Sequence, residues 1–377
     1  RFSMVVIIVV NFILLQLTPC SRAATELQGT IFLNLGYPTF TMQCMRPVAP
    51  SIHNALRICK LFLTFSSMLM ACLCVFIIRK TPSISKEYAR LMLMLIYITA
   101  QLDVYTQLIF DPQYIMPALC IFRDAPLINI PLNPAWGFVI WVTFMALNAP
   151  IYAACFCHRH QLIVPEGSIF KLRKYSRTVC IIIVAAPSLT YGYSYYLAWI
   201  PTSHPIMQKY FSQHDISTEW DPASIASMEC FQDYQLLRNA WAFVIFICGL
   251  IFFAFIPAHT FAILRRARNL SAKTRKYHRI MMTSLIVVGT IPILLIVIPF
   301  ATAMVYYTLL ESDELPLMEI SSFLFAFHSI VHSTTLILTT PVFRARLLKM
   351  LHLESAYSSV AAVSRSSINF FTNASNL

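Results

Sequence analysis

The sequence predicts an all-α membrane protein, a bundle of seven transmembrane helices with the N-terminus outside and the C-terminus in the cytosol. Hydrophobic residues make up 58% of the 377 residues and charged residues only 12%, whereas a typical soluble domain has about 25% charged residues. Seven predominantly apolar stretches are each long enough to cross the roughly 30 Å hydrocarbon core as a helix. Basic residues are concentrated in the loops on one side of these stretches, which determines the orientation.

Residues 265–279 are the strongest sign of that orientation. They include seven Lys or Arg residues and no acidic residue, and they lie between the apolar runs 240–264 and 280–310. Short basic loops stay on the cytosolic side of a membrane. Counted outwards from this loop, four cytosolic segments hold 20 of the 28 Lys and Arg residues, while twelve of the 16 acidic residues fall outside. Charges of both signs therefore support the same topology.

The chain is predicted to begin with a signal peptide, residues 1–24, because a basic start, the apolar run 4–17 and the small residues Ser21, Ala23 and Ala24 follow one another. An uncleaved anchor is the alternative. Residues 25–54 then form an extracellular segment. Arg57 and Lys60, at the outer end of the first span, are expected to extend their charged ends into the aqueous interface. The seven spans are predicted at residues 55–78, 91–110, 135–157, 178–200, 240–264, 280–308 and 320–340.

The chain after the last span is predicted to stay at the inner membrane surface and then in the cytosol. Phe343, Leu347, Met350 and Leu351 recur at helical spacing beside basic residues. This pattern predicts an amphipathic helix at residues 341–353 that binds the lipid of the anionic inner leaflet. The Ser-rich tail, residues 354–377, is predicted to be disordered from its composition.

Four polar residues are predicted to lie inside the spans: Asp103, Asn148, His328 and His332. A charged residue there costs at least about 2.5–3.5 kcal/mol on insertion scales, so it usually faces a cavity or a partner. Asn148 and the two histidines are the candidate partners of Asp103. The histidines are four residues apart and share one helix face, a spacing that suits zinc. Because no third ligand is evident, hydrogen bonding between helices is the preferred interpretation, and no metal or cofactor is predicted.

Prolines interrupt the third to sixth spans, and two of them are candidate pivots. Pro292 and Pro299 both lie in the sixth span. Each removes a backbone donor and tends to kink the helix, which suits a helix that swings between two packings. The alternative is that the membrane helices tolerate these prolines without any switching role.

Apart from Cys20 in the predicted signal peptide, three of the 11 cysteines fall outside the spans, at Cys44, Cys120 and Cys230. The extracellular side is oxidising and permits disulfides. We predict a bond between Cys120, before the third span, and Cys230, before the fifth, which would hold the second outer loop over the mouth of the bundle. Cys44 is the competing partner.

Short motifs stand at four places along the chain. Ile-Ile-Arg-Lys-Thr-Pro occupies residues 77–82 in the first inner loop, and the first outer loop has Asp-Pro at 111–112 and Met-Pro at 116–117. The last span contains His328 and then His-Ser-Thr at 332–334, followed by Pro-Val-Phe-Arg at 341–344. With these motifs, residues 49–353 resemble the nematode serpentine chemoreceptors of the Str superfamily, and among them class H.

The chain departs from that family at two motifs. Phe343 stands where the family has Tyr, and residues 157–160 read Cys-His-Arg-His where the family usually has an Asn-Arg pair. The resemblance implies a G-protein-coupled chemoreceptor, not an enzyme, in the plasma membrane of sensory neurons. It also implies an external small-molecule ligand and a cytosolic heterotrimeric G protein.

A basic rim on the inner face is expected to contact that G protein, although membrane orientation alone also accounts for it. Its members are Arg159, Arg265, Arg266, Arg268, Lys276, Arg279 and Arg344. The sequence assigns no ligand-binding residues. Two other functions remain open, a ligand-gated channel subunit and an intramembrane metal-dependent hydrolase that uses His328 and His332. The net charge of +12 does not predict a nucleic-acid partner, because the charges lie in short loops between apolar runs.

Overall fold

The computed structural model describes residues 50–81, 84–115, 120–123, 127–128, 130, 132–172, 174–213, 228–231, 249, 251–267, 271–306 and 317–351. Several predictions fall outside the described residues: the signal peptide, the extracellular segment before residue 50, Cys44, residues 240–248 of the fifth span, Arg268 and the tail 354–377.

Three long helices come first in the chain. Helix α1 is Pro50–Arg79, α2 is Lys86–Val104 and continues as a π-helical turn, Tyr105–Phe110, and α3 is Pro134–Gln161. Side chains cap two of them: Ser85 Oγ accepts a hydrogen bond from the Tyr88 amide at 3.3 Å, and Asn133 Oδ1 accepts one from the Ala135 amide at 2.8 Å. Such caps satisfy amides that have no partner within the helix.

Seven further helices follow. They are α4 (Lys174–Ala198), α5 (Pro205–Gln213), α6 (Ile256–Arg266, after a π-helical turn at Ile251–Phe255), α7 (Ala272–Pro292), α8 (Ile298–Val305, after a π-helical turn at Ile293–Val297), α9 (Leu317–Thr339) and α10 (Pro341–Met350).

Within the described residues, five helical stretches are long and apolar enough to cross a membrane. They are Asn54–Arg79, Lys86–Phe110, Pro134–Gln161, Ala272–Ala303 and Leu317–Thr339, and they coincide with predicted spans one, two, three, six and seven. Helix α4 overlaps the fourth span and α6 the inner part of the fifth, while α10 occupies the place of the predicted amphipathic helix.

A small antiparallel sheet lies next to the ends of α2 and α4. Its strands are β1 (Pro112–Ile115), β2 (Cys120–Arg123), β3 (Trp199–Pro201) and β4 (Glu229–Phe231), in the order β1-β2-β4-β3. Sequence analysis did not predict this sheet, because strands of three or four residues are too short to show a recognisable alternation.

The bundle has two apolar cores, which we name inner and outer after the orientation predicted from the charges. The inner core joins α1, α2, α3, α7 and α9 through residues such as Met92, Phe156 and Met282. The outer core lies under the sheet and includes Phe110, Trp141 and Phe325. On α3 the outer core ends at Val142 and the inner core begins at Ile151. The segment between them is where the polar residues of the spans lie.

Candidate functional site

Seven buried polar residues form a layer between the two apolar cores, called here the polar layer. Helices α1, α2, α3 and α9 contribute to it. Its members are Ser67, Thr99, Asp103, Asn148, His328, Ser329 and His332. Buried polar groups are normally hydrogen-bonded to one another, so the polar layer ties together helices whose apolar faces pack separately above and below.

Two residues of α2 accept hydrogen bonds from neighbouring helices in this layer. The Asp103 Oδ2 atom accepts a 2.7 Å hydrogen bond from Ser67 Oγ of α1. Ser329 Oγ of α9 donates to the Thr99 carbonyl oxygen at 3.2 Å. Among the described residues, the Asp103 Oδ1 atom has no partner although it is fully buried. The two hydrogen bonds therefore link the first, second and last spans.

The predicted partners of Asp103 were wrong. Asn148 Oδ1 instead accepts a 3.3 Å hydrogen bond from Thr99 Oγ1, and Asn148 Nδ2 donates to the Phe144 carbonyl oxygen at 3.0 Å. The Ser67 hydroxyl of α1 takes the place expected for Asn148 and the histidines. Small hydroxyl residues are common in helix contacts within membranes because they allow close backbone approach.

His328 and His332 are both completely buried in α9, at 1% and 0% exposure. Their ring centroids are 5.9 Å apart, and the His332 ring packs edge-on against Tyr152 of α3. In the part of the chain that the structure describes, none of their four ring nitrogens has a hydrogen-bond partner. The described residues also include no group of three or more His, Cys, Asp or Glu side chains arranged for a metal ion. The described residues therefore supply no third metal ligand for the hydrolase alternative.

A small cavity opens in the outer half of the bundle, above the polar layer. It is lined by Lys60, Thr106, Gln107, Asp111, Pro112, Tyr114, Trp141, Phe300, Ser322 and Phe325. Its volume is about 10 Å³, room for about one water molecule. An organic ligand can enter only if α1, α8, α9 and the sheet move apart around it.

An ion pair that sequence analysis missed lies beside this cavity. Lys60 Nζ of α1 is 3.6 Å from Glu319 Oε2 of α9, and both side chains are almost fully buried. The expectation that Lys60 extends into the aqueous interface was therefore wrong. The reason is tertiary: the carboxylate of the last span offers a closer counter-charge than the membrane surface. No pattern within the first span points to Glu319, which is 259 residues away in the chain.

Aromatic rings form the apolar wall of the cavity. Trp141 of α3 is the centre of the group, with its ring centroid 6.0 Å from Phe300, 6.0 Å from Phe325 and 6.2 Å from Tyr114. Trp141 Nε1 donates a 2.9 Å hydrogen bond to Thr106 Oγ1, which fixes the indole. The Tyr114 hydroxyl is buried and, among the described residues, has no hydrogen-bond partner.

The sheet covers the outer end of the bundle and is held there covalently. A disulfide joins Cys120 of β2 to Cys230 of β4, and these two residues are also in register in the sheet. Glu229 accepts hydrogen bonds from Trp199 Nε1 and, at 3.0 Å, from Asn133 Nδ2 at the start of α3. The second outer loop is thereby attached to α3 and to the end of α4.

One arginine of the sheet binds three carbonyl oxygens at this end of the bundle. Arg123 donates hydrogen bonds to the carbonyl oxygens of Ile109, Ile130 and Leu132 at 2.9, 2.7 and 3.2 Å. Because Ile109 lies in the π-helical turn after α2, Arg123 attaches the first outer loop to the end of the second span.

The predicted basic rim divides into exposed and buried residues. Arg265, Arg266, Lys276 and Arg279 are exposed, and Arg344 is half-buried. Arg159 differs from its prediction as a surface residue, because it is only 5% exposed and its guanidinium lies 3.6 Å from the centre of the Tyr88 ring. The cation–π contact explains the difference. In this conformation Arg159 holds α3 to α2.

A pair of histidines joins the inner ends of α3 and α6. His160 Nε2 and His259 Nδ1 are 2.8 Å apart in a hydrogen bond, and Phe170 of the connecting loop packs on the His259 ring at 4.4 Å. Gln161 anchors the same loop by donating to the Phe170 carbonyl oxygen at 2.9 Å. In the sequence, His160 stands out only as a departure from a family motif, and no pattern points to His259.

The two candidate pivots lie on either side of a change in helix geometry. Pro292 ends α7, Pro299 is in the first turn of α8, and the five residues Ile293–Val297 between them are π-helical. A proline cannot donate to the carbonyl four residues before it, and π-helical turns and prolines are the usual causes of kinks. This irregular segment is at the level of the polar layer, since Val288 belongs to the inner core and Ile296 to the outer core.

Comparison with known proteins shows the family of the sequence and a solved structure with a similar fold. The sequence model of a family described as "Serpentine type 7TM GPCR chemoreceptor Srh" matches residues 51–353, and none of the curated proteins matches the chain in sequence. The crystal structure of squid rhodopsin has a similar fold, with a TM-score of 0.54, 13% identical residues, and coverage of 81% of this chain and 87% of that chain. The predicted fold class, a transmembrane seven-helix bundle, is confirmed; the orientation of the termini stays a prediction.

Proposed function

Because the chain belongs to the Srh family of serpentine seven-transmembrane chemoreceptors, we propose that it binds an external small molecule and signals to a heterotrimeric G protein in the cytosol. The receptor works in the plasma membrane, with the sheet outside and the basic loops inside. The family consists of receptors and not of enzymes, and the chain acts through a change of shape.

The arrangement of the polar layer supports this proposal more than any other observation. Two apolar cores are separated by a layer in which the Ser67–Asp103 and Ser329–Thr99 hydrogen bonds join α1, α2 and α9. Close-packed apolar cores resist gradual deformation, so relative movement is concentrated where the packing changes. A ligand that separates α1, α8 and α9 in the outer core alters this layer directly.

The irregular segment between Pro292 and Pro299 carries the movement inwards. Phe300 lines the cavity and stands one residue after Pro299. A shift of Phe300 away from an entering ligand therefore acts on the π-helical turn below it. The turn connects to α7, and the exposed basic residues Lys276 and Arg279 lie near the other end of that helix.

On the inner face, two contacts hold the ends of α3 in the conformation seen here. Arg159 lies on Tyr88 and His160 is bonded to His259. If both contacts break, a basic surface and the inner end of α6 become exposed. A ligand shifts the balance between the two packings only by its different affinity for each.

Expression of the full chain with a reporter for second messengers, followed by screening of small molecules, tests the proposal. We expect at least one compound to raise the second-messenger signal in cells that express the receptor, and inactivation of the endogenous G proteins to abolish that response. A ligand-gated conductance that persists without any G protein would instead support the channel alternative.

A further inference from the structure

A buried ion pair lies beside the outer cavity, whose wall combines polar and aromatic side chains. Lys60 Nζ is 3.6 Å from Glu319 Oε2, which is longer than the 2.7–2.9 Å typical of a charge-assisted hydrogen bond. Lys60 also lines the cavity. Because an ammonium group has three donors and its pairing with Glu319 is loose, Lys60 can donate to a molecule in the cavity.

We propose that the ligand of this receptor is a small uncharged molecule with an oxygen acceptor, such as a ketone or an ester, on an apolar body. The inference rests on the proposed function, that the chain is a receptor for external small molecules. Lys60 donates a hydrogen bond to the ligand oxygen, and the apolar body lies against Trp141, Phe300 and Phe325.

The charges around the cavity favour an uncharged ligand. The Lys60 ammonium and the Glu319 carboxylate balance each other, and Asp111 contributes a carboxylate to the lining. An anionic ligand would be repelled by the Asp111 carboxylate, whereas a cationic ligand would be repelled by the Lys60 ammonium. A neutral oxygen acceptor completes the coordination of Lys60 and leaves the ion pair in place.

A second donor in the cavity lining supports the same class of ligand. The Tyr114 hydroxyl is buried and lines the cavity, and it has no hydrogen-bond partner within the described segments. A ligand oxygen has two lone pairs, so it can accept from both Lys60 and Tyr114. A pure hydrocarbon would leave both polar groups buried without partners, which is unfavourable.

Binding and signalling can be measured separately on the full chain. The purified receptor is placed in lipid nanodiscs, and its melting temperature is recorded with a panel of matched seven-carbon compounds. The panel consists of 2-heptanone, 4-heptanone, methyl hexanoate, heptanoate, heptylamine and 1-heptene. We expect the ketones and the ester to raise the melting temperature, and the acid, the amine and the alkene to have little effect at the same concentration.

Two variants link the effect to the ion pair. Lys60→Met removes the donor, and we expect it to weaken ketone binding about 10- to 100-fold, the factor for a hydrogen bond to a charged group. Because that variant leaves Glu319 without its counter-charge, Lys60→Met/Glu319→Gln removes both charges and keeps the fold testable. Lys80→Met, at the exposed inner end of the first span, is the matched control and should retain full ketone binding.

The outcomes separate this inference from the proposed function. Ketone binding that depends on Lys60 but produces no second messenger contradicts the signalling role and leaves the ligand class intact. Compounds that signal equally through the wild-type receptor and the double variant overturn the ligand class and leave the receptor role intact. The inference is also overturned if heptanoate or heptylamine binds more tightly than the ketones, or if no uncharged acceptor in the panel gives a shift that depends on Lys60.

Discussion

At the scale of single residues, the buried carboxyl group of Asp103 is the most informative. It is 1% exposed and joins α2 to α1 by accepting a hydrogen bond from the Ser67 hydroxyl. That hydroxyl needs an acceptor, but it does not need a charged one. Substitution of Asp103 can therefore separate its role as a hydrogen-bond acceptor from its ability to carry a charge.

We expect Asp103→Asn to keep the stability of the receptor and Asp103→Leu to reduce it. The amide oxygen of Asn still accepts from Ser67, whereas Leu leaves the buried Ser67 hydroxyl without this acceptor, at a cost of about 1–3 kcal/mol. Thermal unfolding of the purified variants measures the difference. Equal melting temperatures for the two variants would show that the Ser67 hydrogen bond does not stabilise the bundle.

The histidine pair on the inner face gives a second prediction at this scale. His259→Phe keeps a ring against Phe170 but removes the hydrogen bond to His160. We expect basal second-messenger production to rise about 2- to 10-fold, the factor for one hydrogen bond of about 0.5–1.5 kcal/mol in a two-state equilibrium. His259→Gln, which retains a hydrogen-bonding side chain, is the control. Unchanged basal signalling in His259→Phe would exclude the pair from any role in holding this conformation.

At the scale of elements, the sixth span is the helix best suited to move. It consists of α7, a π-helical turn and α8, with a proline on each side of the turn. Helices α3 and α4 are continuous α-helices through Pro150 and Pro187, whereas Pro257 of the fifth span lies in the first turn of α6, directly after the π-helical turn Ile251–Phe255. Among the described spans, only the sixth has a π-helical turn with a proline on each side.

We expect Pro292→Ala/Pro299→Ala to reduce the maximal ligand-induced signal while ligand binding is retained. The two alanines restore backbone donors and favour a straight α-helix, so movement of the outer half is transmitted less to the inner half. The dose–response curve gives the maximal signal, and the ligand-induced melting shift gives binding. Pro187→Ala in α4 is the control and should signal normally; loss of signal in that variant as well would remove any special role of the sixth span.

At the scale of the whole molecule, the topology decides whether the outer cavity faces the ligand and the basic loops face the G protein. The sheet with its Cys120–Cys230 disulfide and the loop 265–279 lie at opposite ends of the bundle. Because disulfides persist in oxidising compartments, the bond predicts that the sheet lies outside the cell. The basic loops at the other end of the bundle predict the same orientation.

We expect an epitope tag inserted in the loop at residue 270 to be inaccessible to antibody on intact cells and accessible after permeabilisation. A tag within the second outer loop should be accessible on intact cells, and it serves as the control. The physical reason is that a short loop with seven cationic residues is not translocated across the membrane. Accessibility of the residue-270 tag on intact cells would invert the topology and contradict the receptor function.

The sequence was sufficient for the properties that depend on local composition. The length of apolar runs predicts helices because the bilayer leaves no other partner for backbone polar groups. The apolar runs also made their exceptions recognisable, namely Pro292, Pro299 and the polar residues of the spans. Two extracellular cysteines placed before the third and fifth spans pointed to a bond across the outer mouth.

Only the tertiary structure decided which of these residues meet. Lys60 pairs with Glu319, Arg159 lies on Tyr88, and Asp103 is hydrogen-bonded to Ser67 and not to Asn148. Each contact joins residues on different helices, and the rotation of a helix about its own axis is set by packing against its neighbours. Apolar runs and loop charges specify that a helix spans the membrane and in which direction, but several rotations bury similar apolar area, so the side-chain partners follow from the assembled bundle.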